Sequence, residues 1–515
     1  MASIWLARLD TYNSTSSQVE AVYFSSAGFV TGTTNLPPGG AAHTCYEPRI
    51  QNPATIRRDA FQAGQTFGKS QVGYGALELT NTDGGLDYLA DRGMGGRALT
   101  IVLGTVSPGS APVWTTVLTG TVEQPDISWG KVSLRLRDRL AELDKHACQT
   151  TYAGNNSLPN GLEGVAGDIK GQRKPRLYGT VYNIDVPQVN TSRLIYQVSE
   201  TAINTVSAVY DRGSALTKGA DYTSQTDMET TAPAAGNFRV WPAGGYFRLG
   251  SSPTGQITCD AVQGAAAANR TAAQVLKQLA LDAGISSGDI TSADVTALDT
   301  ANSAELGVWL REESFIDAMD QVANSVGAYY GFDRLGKLRM ARMEAPSGTP
   351  AATLTEFEVI SIERAASSDV GRGVPAWKYT LGYKQFYITQ DSDIAGAVTA
   401  DRRTELKRKE RTVEATDSSI KTKHLLASDM DGSTYLIDAT AAQTECTRRL
   451  NLYKAERSMY TVKAGLDSTS LTAIELGAVV RLKIARFGMS AGKDFRVIGY
   501  TADYRLQILD LTLWG

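Results

Sequence analysis

Apolar residues follow two different periods along this chain, and these periods separate β-type stretches from helical ones. In the segment 131–137, apolar and polar residues alternate, which predicts a half-buried antiparallel strand. Many other short apolar runs are bounded by turn-forming residues, a spacing typical of β-barrels and β-sandwiches. We therefore expect a β-rich α+β protein with two or more antiparallel barrel or sandwich domains.

Helical spacing is clearest between residues 255 and 346. Thr271 precedes the run AAQVLKQLALDA and is a suitable N-cap, while Gly284 is a suitable terminator. A second helix is predicted after Ser314, where Asp317 makes an acidic version of the capping box. These two amphipathic helices distinguish the segment from the β-type chain around it.

A hairpin is predicted at the end of the same segment, because the turn sequence DRLG of Asp333–Gly336 stands between two apolar runs. The expected order is strand, helix, helix, hairpin. One further helix is predicted after Asp438, and Cys446 lies on its apolar stripe, so we interpret Cys446 as a core residue.

Pro, Gly and polar breaks divide the chain into four predicted segments. The loop 149–174 is unusually long, and such loops often make contacts or move. The segments are an N-terminal β domain (1–148), a long loop with a second β region (149–254), an α/β insert (255–346) and a C-terminal β domain with one helix (347–515).

Net charge argues against a general nucleic-acid-binding role. Lys plus Arg is 51 and Asp plus Glu is 54, which gives −3 at pH 7, whereas such a role predicts a basic excess. No apolar run reaches the roughly 18 residues that indicate a transmembrane helix. The N-terminal sequence lacks the features of a signal peptide, so synthesis in a cytoplasm is expected.

Cysteine and histidine usage disfavours metal, disulfide and histidine-based chemistry. The four cysteines form no CxxC pair, and three histidines leave little for a hydrolase triad or a zinc enzyme. These residues are Cys45, Cys148, Cys259 and Cys446, with His43, His146 and His424.

The strongest charge run is Asp401–Thr412, and two interpretations were weighed for it. One is a patch that contacts nucleic-acid phosphates. The other, which we favour, is a solvated surface with local ion pairs, because no aromatic residues are interleaved for base stacking. The basic residues are Arg402, Arg403, Lys407, Arg408, Lys409 and Arg411.

Other candidate sites also have simpler structural interpretations. The Asp-rich turn 81–85 lacks the pattern of a calcium loop. A basic stripe near residue 137 fits the solvated face of a sheet, acidic pairs fit an ordinary surface, and tryptophans are more often core residues than glycan contacts. The residues concerned are Arg135, Arg137 and Arg139; Glu312–Glu313 and Asp429–Asp431; and Trp309, Trp377 and Trp514.

No nucleophile elbow, P-loop, dinucleotide fingerprint or zinc-protease motif is present. We therefore assign no catalytic, cofactor-binding or metal-binding residue, and we do not expect an enzyme.

Several long segments carry a family resemblance. VYFSSAGFVTG and GALELTNTDGGLDYLADRGMGGRALTIVLG resemble the N-terminal half of tail-hub proteins of long-tailed bacteriophages. Four segments are similar to the middle domain of that group: GQITCDAVQG, RTAAQVLKQLALDAGI, DVTALDTANSAELGVWL and ESFIDAMDQVANSVGAYYGFDRLGKLRMARMEAP. ELGAVVRLKIARFGMSAGKDFRVIGYTADYRLQILDLTLWG is similar to its closing β segment. The shared motifs are glycines, turns and caps, and they carry no active site.

The resemblance implies a tail-tip or baseplate hub in the virion, similar to contractile-tail and gene-transfer-agent hubs. Such hubs are homotrimers whose paired β-barrels form a ring with pseudo-sixfold symmetry. The ring joins the sixfold tail tube and distal tail protein to a threefold tip or central fibre. DNA and the tape-measure protein pass through it, and no membrane insertion is expected. Some relatives hold an iron–sulfur cluster, which the scattered cysteines here do not match.

Two other functions remain as alternatives. One is a receptor- or glycan-binding tail protein, or a glycan hydrolase. The other is a DNA-binding ejection protein that would use the basic run Asp401–Thr412.

Overall fold

Strands dominate the secondary structure, which is 41% strand and 17% helix. This confirms the β-rich α+β class predicted from the sequence. The computed structural model describes residues 2–62, 65–70, 73–107, 109–137, 139–365, 374–467 and 472–515.

The N-terminal part contributes ten strands. In β10, Val132, Leu134 and Leu136 are buried while Arg135 is exposed, which confirms the predicted half-buried strand. The strands are β1 (Ala2–Asn13), β2 (Gln18–Ser25), β3 (Phe29–Val30), β4 (Cys45–Pro48), β5 (Ile50–Asp59), β6 (Tyr74–Thr80), β7 (Arg92–Gly93), β8 (Ala98–Val106), β9 (Val113–Ile127) and β10 (Lys131–Arg137).

The predicted turn after β6 is confirmed. The Asn81 side chain accepts a hydrogen bond of 2.8 Å from the Leu86 backbone N–H. Gly84 has a φ of +69°, a conformation that glycine adopts without a Cβ penalty.

The segment 139–254 continues with short elements. Residues 149–174 contain turns and isolated bridges, and Tyr152 within them is buried in a small core with Ile195 and Tyr246. The elements that follow are β11 (Arg176–Ile184), β12 (Gln188–Asn190), β13 (Ile195–Gln197), β14 (Thr205–Asp211), β15 (Ser214–Ala215), β16 (Thr217–Lys218), α1 (Gln225–Thr230), β17 (Asn237–Trp241) and β18 (Tyr246–Leu249).

The insert contains three helices instead of the two predicted. Both predicted caps are present, since Thr271 accepts from the Gln274 N–H and Ser314 accepts from the Asp317 N–H. The predicted hairpin is also present, with Phe332 opposite Leu338. The elements are β19 (Ile257–Val262), α2 (Ala272–Asp282), α3 (Ser292–Ala301), β20 (Gly307–Leu310), α4 (Phe315–Ser325), β21 (Ala328–Phe332) and β22 (Leu338–Arg342).

The expected order of strand, helix, helix, hairpin was therefore wrong in two places, because it omitted α3 and β20. The helix α3 buries only Val295 and Leu298, so it has a weak apolar stripe, and its Asp, Ser and Thr residues have modest helix propensity. The strand β20 is only four residues long and fully buried, and such a run cannot be told from a helix fragment by periodicity.

The C-terminal part mixes strands with short helices. The predicted helix after Asp438 is confirmed, because the Asp438 carboxylate accepts a 2.9 Å hydrogen bond from the Ala441 N–H. The elements are β23 (Ala352–Thr355), β24 (Val359–Ala365), β25 (Ala376–Tyr383), α5 (Ala400–Leu406), β26 (Arg411–Thr416), α6 (Ser419–Lys423), β27 (Ser428–Ser433), α7 (Ala439–Tyr453), β28 (Met459–Gly465), β29 (Val479–Lys483), β30 (Lys493–Asp503) and β31 (Ile508–Trp514).

One sheet joins the two ends of the sequence. It has 16 strands, and its main path is β24-β28-β31-β30-β5-β6-β10-β9-β8-β1-β2-β4-β3. The N-terminal and C-terminal strands meet where β5 pairs antiparallel with β30, from Asp59 opposite Gly499 to Thr55 opposite Asp503. The insert lies between these regions in sequence, yet the regions pair directly.

One hydrophobic core is shared by the two parts of this sheet. It contains Leu77 and Leu134 from the N-terminal part together with Leu482 and Phe495 from the C-terminal part. The terminal strands β24 and β3 do not pair with each other in the ranges described above. The arrangement is therefore a sandwich of a bent sheet over a shared core, and not a closed barrel.

The remaining strands form smaller sheets. Two have five strands, in the orders β15-β14-β19-β11-β20 and β12-β13-β18-β17-β16. A three-stranded sheet β26-β25-β27 packs against α7, and β21 pairs with β22. How far the four predicted sequence segments behave as domains stays a prediction.

Candidate assembly surfaces

A buried ion cluster fixes the insert to the C-terminal part. Glu445 of α7 is 1% exposed and accepts from Arg448 and Arg449, each at 2.7 Å. Arg449 also donates to the Asn324 carbonyl near the end of α4. Burial acts to raise the pKa of Glu445, but the two guanidinium groups outweigh it and the net direction is downward. The carboxylate therefore stays ionised and holds both arginines in place.

A second joint brings three parts of the chain together around Glu475. Arg58 of β5 donates to the Asp333 carbonyl at 2.9 Å and lies 3.8 Å from Glu475. Arg334 lies 3.4 Å from the same carboxylate, and the Tyr500 hydroxyl donates to it at 3.1 Å. Burial raises the pKa of Glu475 despite these partners. This joint links β5, the hairpin of the insert and the segment before β29.

The segment 65–70 lies along α4, from its first turn to its last. The Ser70 N–H donates to Asp320 at 3.1 Å, and the Gly68 N–H donates to Asn324 at 3.2 Å. Lys69 lies 3.2 Å from Asp317. Burial raises the pKa of Asp320, opposed mainly by the bonds from Ser70 and Tyr330. The insert is thus tied to the N-terminal part as well.

The strand β24 gives the large sheet an open edge. It pairs with β28 on one side, and its seven residues are exposed or half-exposed. Ile360 is 58% exposed, and Phe357, just before the strand, is 97% exposed. An edge strand presents unpaired backbone groups to which another chain can add. On β24 these groups lie beside both apolar residues and the charged pair Glu363 and Arg364.

The opposite end of the same sheet is protected. The strand β3 has two residues, and β4 has four and ends at Pro48. Short edge strands and proline are devices that block strand addition. The two ends of this path therefore differ, and of these two the β24 end is the better suited to pairing with another chain. The branch strand β23, which pairs with β29, is a further edge of the sheet.

Two further exposed apolar groups lie in turns. Trp129 is 96% exposed between β9 and β10, and Leu425 and Leu426 are exposed between α6 and β27. Sequence reasoning missed these residues and Phe357. The available signal was a large apolar residue beside charged or turn-forming neighbours, as in Glu356-Phe357-Glu358.

The basic run Asp401–Thr412 has the local ion pairs that we favoured, but it is only partly solvated, because Arg402 and Arg411 are half-buried and pack on the Phe386 ring. Arg402 and Arg411 both bind Glu405 at 2.7 Å, and Lys384 binds it at 3.1 Å. Burial acts to raise the pKa of Glu405, but these cations outweigh it and lower the pKa to about 2.

The other residues of the run divide between internal and exposed positions. Arg403 donates to the carbonyls of Val398 and Ala395. Lys407 pairs with Asp391 at 2.7 Å, and Arg408 and Lys409 are exposed. The structure does not gather the six basic residues into one phosphate-facing patch.

The candidate tryptophans are mostly core residues, as expected. Trp309 and Trp514 are buried, and the Trp309 indole donates to the Val198 carbonyl at 2.8 Å. The Trp377 ring is covered by the Lys421 ammonium at 3.6 Å. They do not form a stacking platform for a glycan.

The basic stripe on β10 needs one correction. Arg135 pairs with Asp126 on the surface as predicted, but Arg139 does not lie on a solvated face. Arg139 pairs with Asp289 at 2.7 Å and donates to the Gly336 carbonyl at 2.9 Å. It follows the end of β10, where the chain turns toward the insert, so the alternation of the strand no longer applies.

The cysteines are all free, and three of them are buried. Burial raises the pKa of Cys148 to about 12 and also raises that of Cys446, whose thiol donates to the Tyr379 carbonyl at 3.2 Å. Cys446 is therefore a core residue, as predicted, and Cys45 is exposed. No group of three or more His, Cys, Asp or Glu with metal-binding geometry occurs in the described ranges.

The remaining polar candidates make local contacts. His146 Nδ1 lies 2.9 Å from the Glu312 carbonyl. Glu313 accepts from the backbone N–H groups of Arg311 and Glu312, and Glu312 pairs with Arg173. Asp429 and Asp431 are exposed on β27. No helix of the described part is both long and apolar enough to cross a membrane.

Comparisons with known proteins found no matching family model and no matching curated relative. Solved structures do match across nearly the whole chain. A tail protein from Neisseria meningitidis MC58 has 10% identity and a TM-score of 0.42, covering 99% of this chain and 96% of its own. The 43 kDa tail protein of prophage MuSo2 from Shewanella oneidensis has 10% identity and a TM-score of 0.41, covering 99% and 98%.

A third match is an E. coli type VI secretion component described as structurally similar to the T4 tail proteins gp27 and gp5. It has 8% identity and a TM-score of 0.30, covering 90% of this chain and 73% of its own.

Proposed function

We propose that the chain is a structural subunit of a phage tail-tip or baseplate hub in the virion. Three copies form a ring that joins the sixfold tail tube to a threefold tip or central fibre. The ring lets DNA and the tape-measure protein pass, and its neighbours are the distal tail or tail tube protein and the central fibre or tip protein. No catalytic step is proposed.

The observation that carries this proposal is the single sheet that joins both ends of the chain and has the exposed strand β24 at one edge. The pairing of β5 with β30 makes the N-terminal and C-terminal strands one body with a shared core. A ring subunit must transmit load between its neighbours, and a continuous hydrogen-bonded sheet is suited to that task.

The open edge supplies the contact between copies in this proposal. A head-to-tail contact between two different patches closes into a ring when the rotation is right. The β24 edge, with Phe357 and Ile360 exposed beside it, is one such patch. The protected β3 end limits uncontrolled growth at the other end of the sheet.

Native mass spectrometry of the purified chain tests the proposal. We expect a species with three times the chain mass, and Ile360→Lys, which places a charge on the open edge, should shift it to monomer. A chain that stays monomeric at every concentration, and that enters assembled tails in a number not divisible by three, would contradict the hub assignment.

The glycan-binding alternative has no supporting site. Two of its three candidate tryptophans are buried, and the third is covered by a lysine. The DNA-ejection alternative requires a basic patch that faces phosphates. Glu405 neutralises part of the basic run, because it pairs with Arg402 and Arg411. We therefore propose no second function.

A further inference from the structure

The three-stranded sheet β26-β25-β27 has one covered face and one exposed face. Its covered face packs on α7, where Tyr379 of β25 shares a core with Cys446. Because side chains alternate along a strand, the residues next to Tyr379 point to the other side. On that side Thr380 of β25 lies between Glu414 of β26 and Asp431 of β27. Glu414 and Asp431 are exposed, so the outer face of this sheet meets solvent.

Carboxylates dominate this outer face. Glu414 pairs with Lys378 of β25 at 2.8 Å. Glu410 lies over Gly382, where an added Cβ would be 2.1 Å from the Glu410 carboxylate. The remaining carboxylates and Glu410 have no ion-pair partner among the described residues. We call this set the acidic face, and its members are Glu410, Glu414, Asp429 and Asp431.

Three cations meet at the β24 end of the large sheet. Arg364 lies on β24, Lys493 begins β30 and Arg457 precedes β28. Burial lowers the pKa of Lys493, and the positive charges of Arg364 and Arg457 lower it further. Glu456 is the carboxylate that opposes them. The like charges are therefore close enough to repel one another.

A fourth cation lies beside these three. Tyr460 of β28 lies opposite Arg364, and its ring centroid is 5.9 Å from that of Phe487. The Arg486 guanidinium group lies 5.4 Å from the centroid of the same Phe487 ring. Within the described ranges, no ion pair joins any of the four cations to a carboxylate. We call this set the basic corner, and its members are Arg364, Arg457, Arg486 and Lys493.

The helix α7 lies between the small sheet and the large sheet. The Cys446 thiol of α7 donates to the Tyr379 carbonyl of the small sheet at 3.2 Å. Farther along α7, the Tyr453 ring centroid lies 6.4 Å from that of Trp514 in the large sheet. The small sheet, α7 and the large sheet are therefore stacked, and the acidic face is the outer side of the small sheet.

The basic corner belongs to the other side of this stack. Tyr460, opposite Arg364, belongs to the main core of the large sheet, whereas Met459 packs in the core around α7. The Lys493 ammonium group lies 5.1 Å from the ring centroid of Phe495, which also belongs to the main core. The acidic face and the basic corner therefore lie on different layers and point in different directions, so they cannot pair within one chain.

We propose that the acidic face of one copy binds the basic corner of the next copy. This contact rests on the hub assignment, and it names the second patch that a head-to-tail ring contact needs. Opposite charges across an interface favour the correct partner and speed association. Because Arg364 lies on β24, the basic corner adjoins the open edge and extends the contact surface assigned to it.

Self-association of the full chain, measured by native mass spectrometry over a range of concentrations, tests this contact. Asp429→Lys with Asp431→Lys reverses the acidic face, and Arg364→Glu with Arg486→Glu reverses the basic corner. Each reversal should weaken association at least about tenfold, because like charges across an interface repel each other. All four substitutions in one chain should restore association to within about threefold of wild type, because the two surfaces are again complementary.

Reversals at exposed residues outside both surfaces are the matched controls. Asp91→Lys with Asp168→Lys changes two exposed acidic residues, and Lys170→Glu with Arg505→Glu changes two exposed basic residues. Both control variants should associate like wild type. Equal melting temperatures for all variants show that the substitutions leave the fold of the single chain intact.

The outcomes separate this contact from the hub assignment. Association that neither reversal changes would overturn the contact, while a trimeric wild type would leave the hub assignment in place. Losses that the combined variant does not restore, or a loss on reversing only one surface, would mean that the two surfaces do not meet, which also overturns the contact. Rescue in an assembly whose copy number is not divisible by three would support the contact and contradict the hub assignment. A wild type that stays monomeric at every concentration would overturn the contact.

Discussion

The ion cluster around Glu445 and the open edge at β24 are contact regions of opposite kinds. The cluster is buried and complete, with Glu445 held by Arg448 and Arg449. The edge is exposed and apolar, with Phe357 outside any core. The cluster therefore serves the fold of one chain, while the edge serves contact with another. Substitutions should separate the two effects, because those at the cluster should change the stability of the chain and those at the edge should change assembly.

The largest loss of stability is expected for Glu445→Ala. It leaves two arginines without their carboxylate in a buried site, and breaking a buried pair in this way costs about 3–5 kcal/mol. Urea unfolding of the isolated chain measures the loss. Glu414→Ala removes a carboxylate from an exposed pair with Lys378 and is the control, with an expected loss of at most about 1 kcal/mol. Equal losses for the two variants would contradict the claim that the buried ion cluster stabilises the chain more than a surface ion pair does.

Gly179→Ala should come next, with a loss of about 1–3 kcal/mol. Gly179 has a φ of +73°, and an added Cβ would lie 2.0 Å from the Leu306 carbonyl oxygen where β11 meets β20. Gly236→Ala is the matched control, because it shares the left-handed backbone but has open space around the added Cβ. The difference between their unfolding free energies isolates the close approach of the two strands. Equal unfolding free energies for the two variants would mean that the close approach of β11 and β20 does not affect stability.

The partly exposed Glu405 site should show a smaller, pH-dependent effect. Its pKa falls from 4.5 to about 2 on folding. A carboxylate with a lowered pKa contributes stability above its unfolded value and loses it as the pH falls toward the folded value. Wild type should therefore lose more melting temperature than Glu405→Gln between pH 4.5 and pH 2. Parallel pH curves for the two proteins would show that Glu405 contributes nothing.

The smallest effect on stability is expected for Phe357→Ser at the open edge. An exposed residue without internal partners changes the unfolding free energy by about 0.5 kcal/mol or less. The same variant should weaken assembly, which particle yield and infectivity report. Leu425→Ser, at an exposed leucine in a turn away from β24, should leave both unchanged. If Phe357→Ser destabilised the chain but left assembly normal, the β24 edge would contribute to the fold of one chain and not to contact with another.

Local signals in the sequence predicted much of the helical structure. Thr271, Ser314 and Asp438 each cap a helix as expected, because a cap depends on residues only three positions apart. The helix α3 was missed because its buried face has only two apolar residues. The prediction of β10 was also correct, because the alternation of apolar and polar residues depends only on neighbouring positions.

Long-range features could not be read from periodicity. The pairing of Asp59 with Gly499 joins opposite ends of the chain, and no local pattern encodes the partner of an edge. The glutamates beside Phe357 hint at exposure, but its place next to the edge strand β24 follows only from the tertiary structure, in which it is 97% exposed.

Electron cryomicroscopy of the intact particle tests the hub assignment most directly. The account predicts three copies around the tail axis, placed at the tail tip, with β24 and Phe357 covered by another chain. A different symmetry, or β24 facing solvent in the assembled particle, would contradict it.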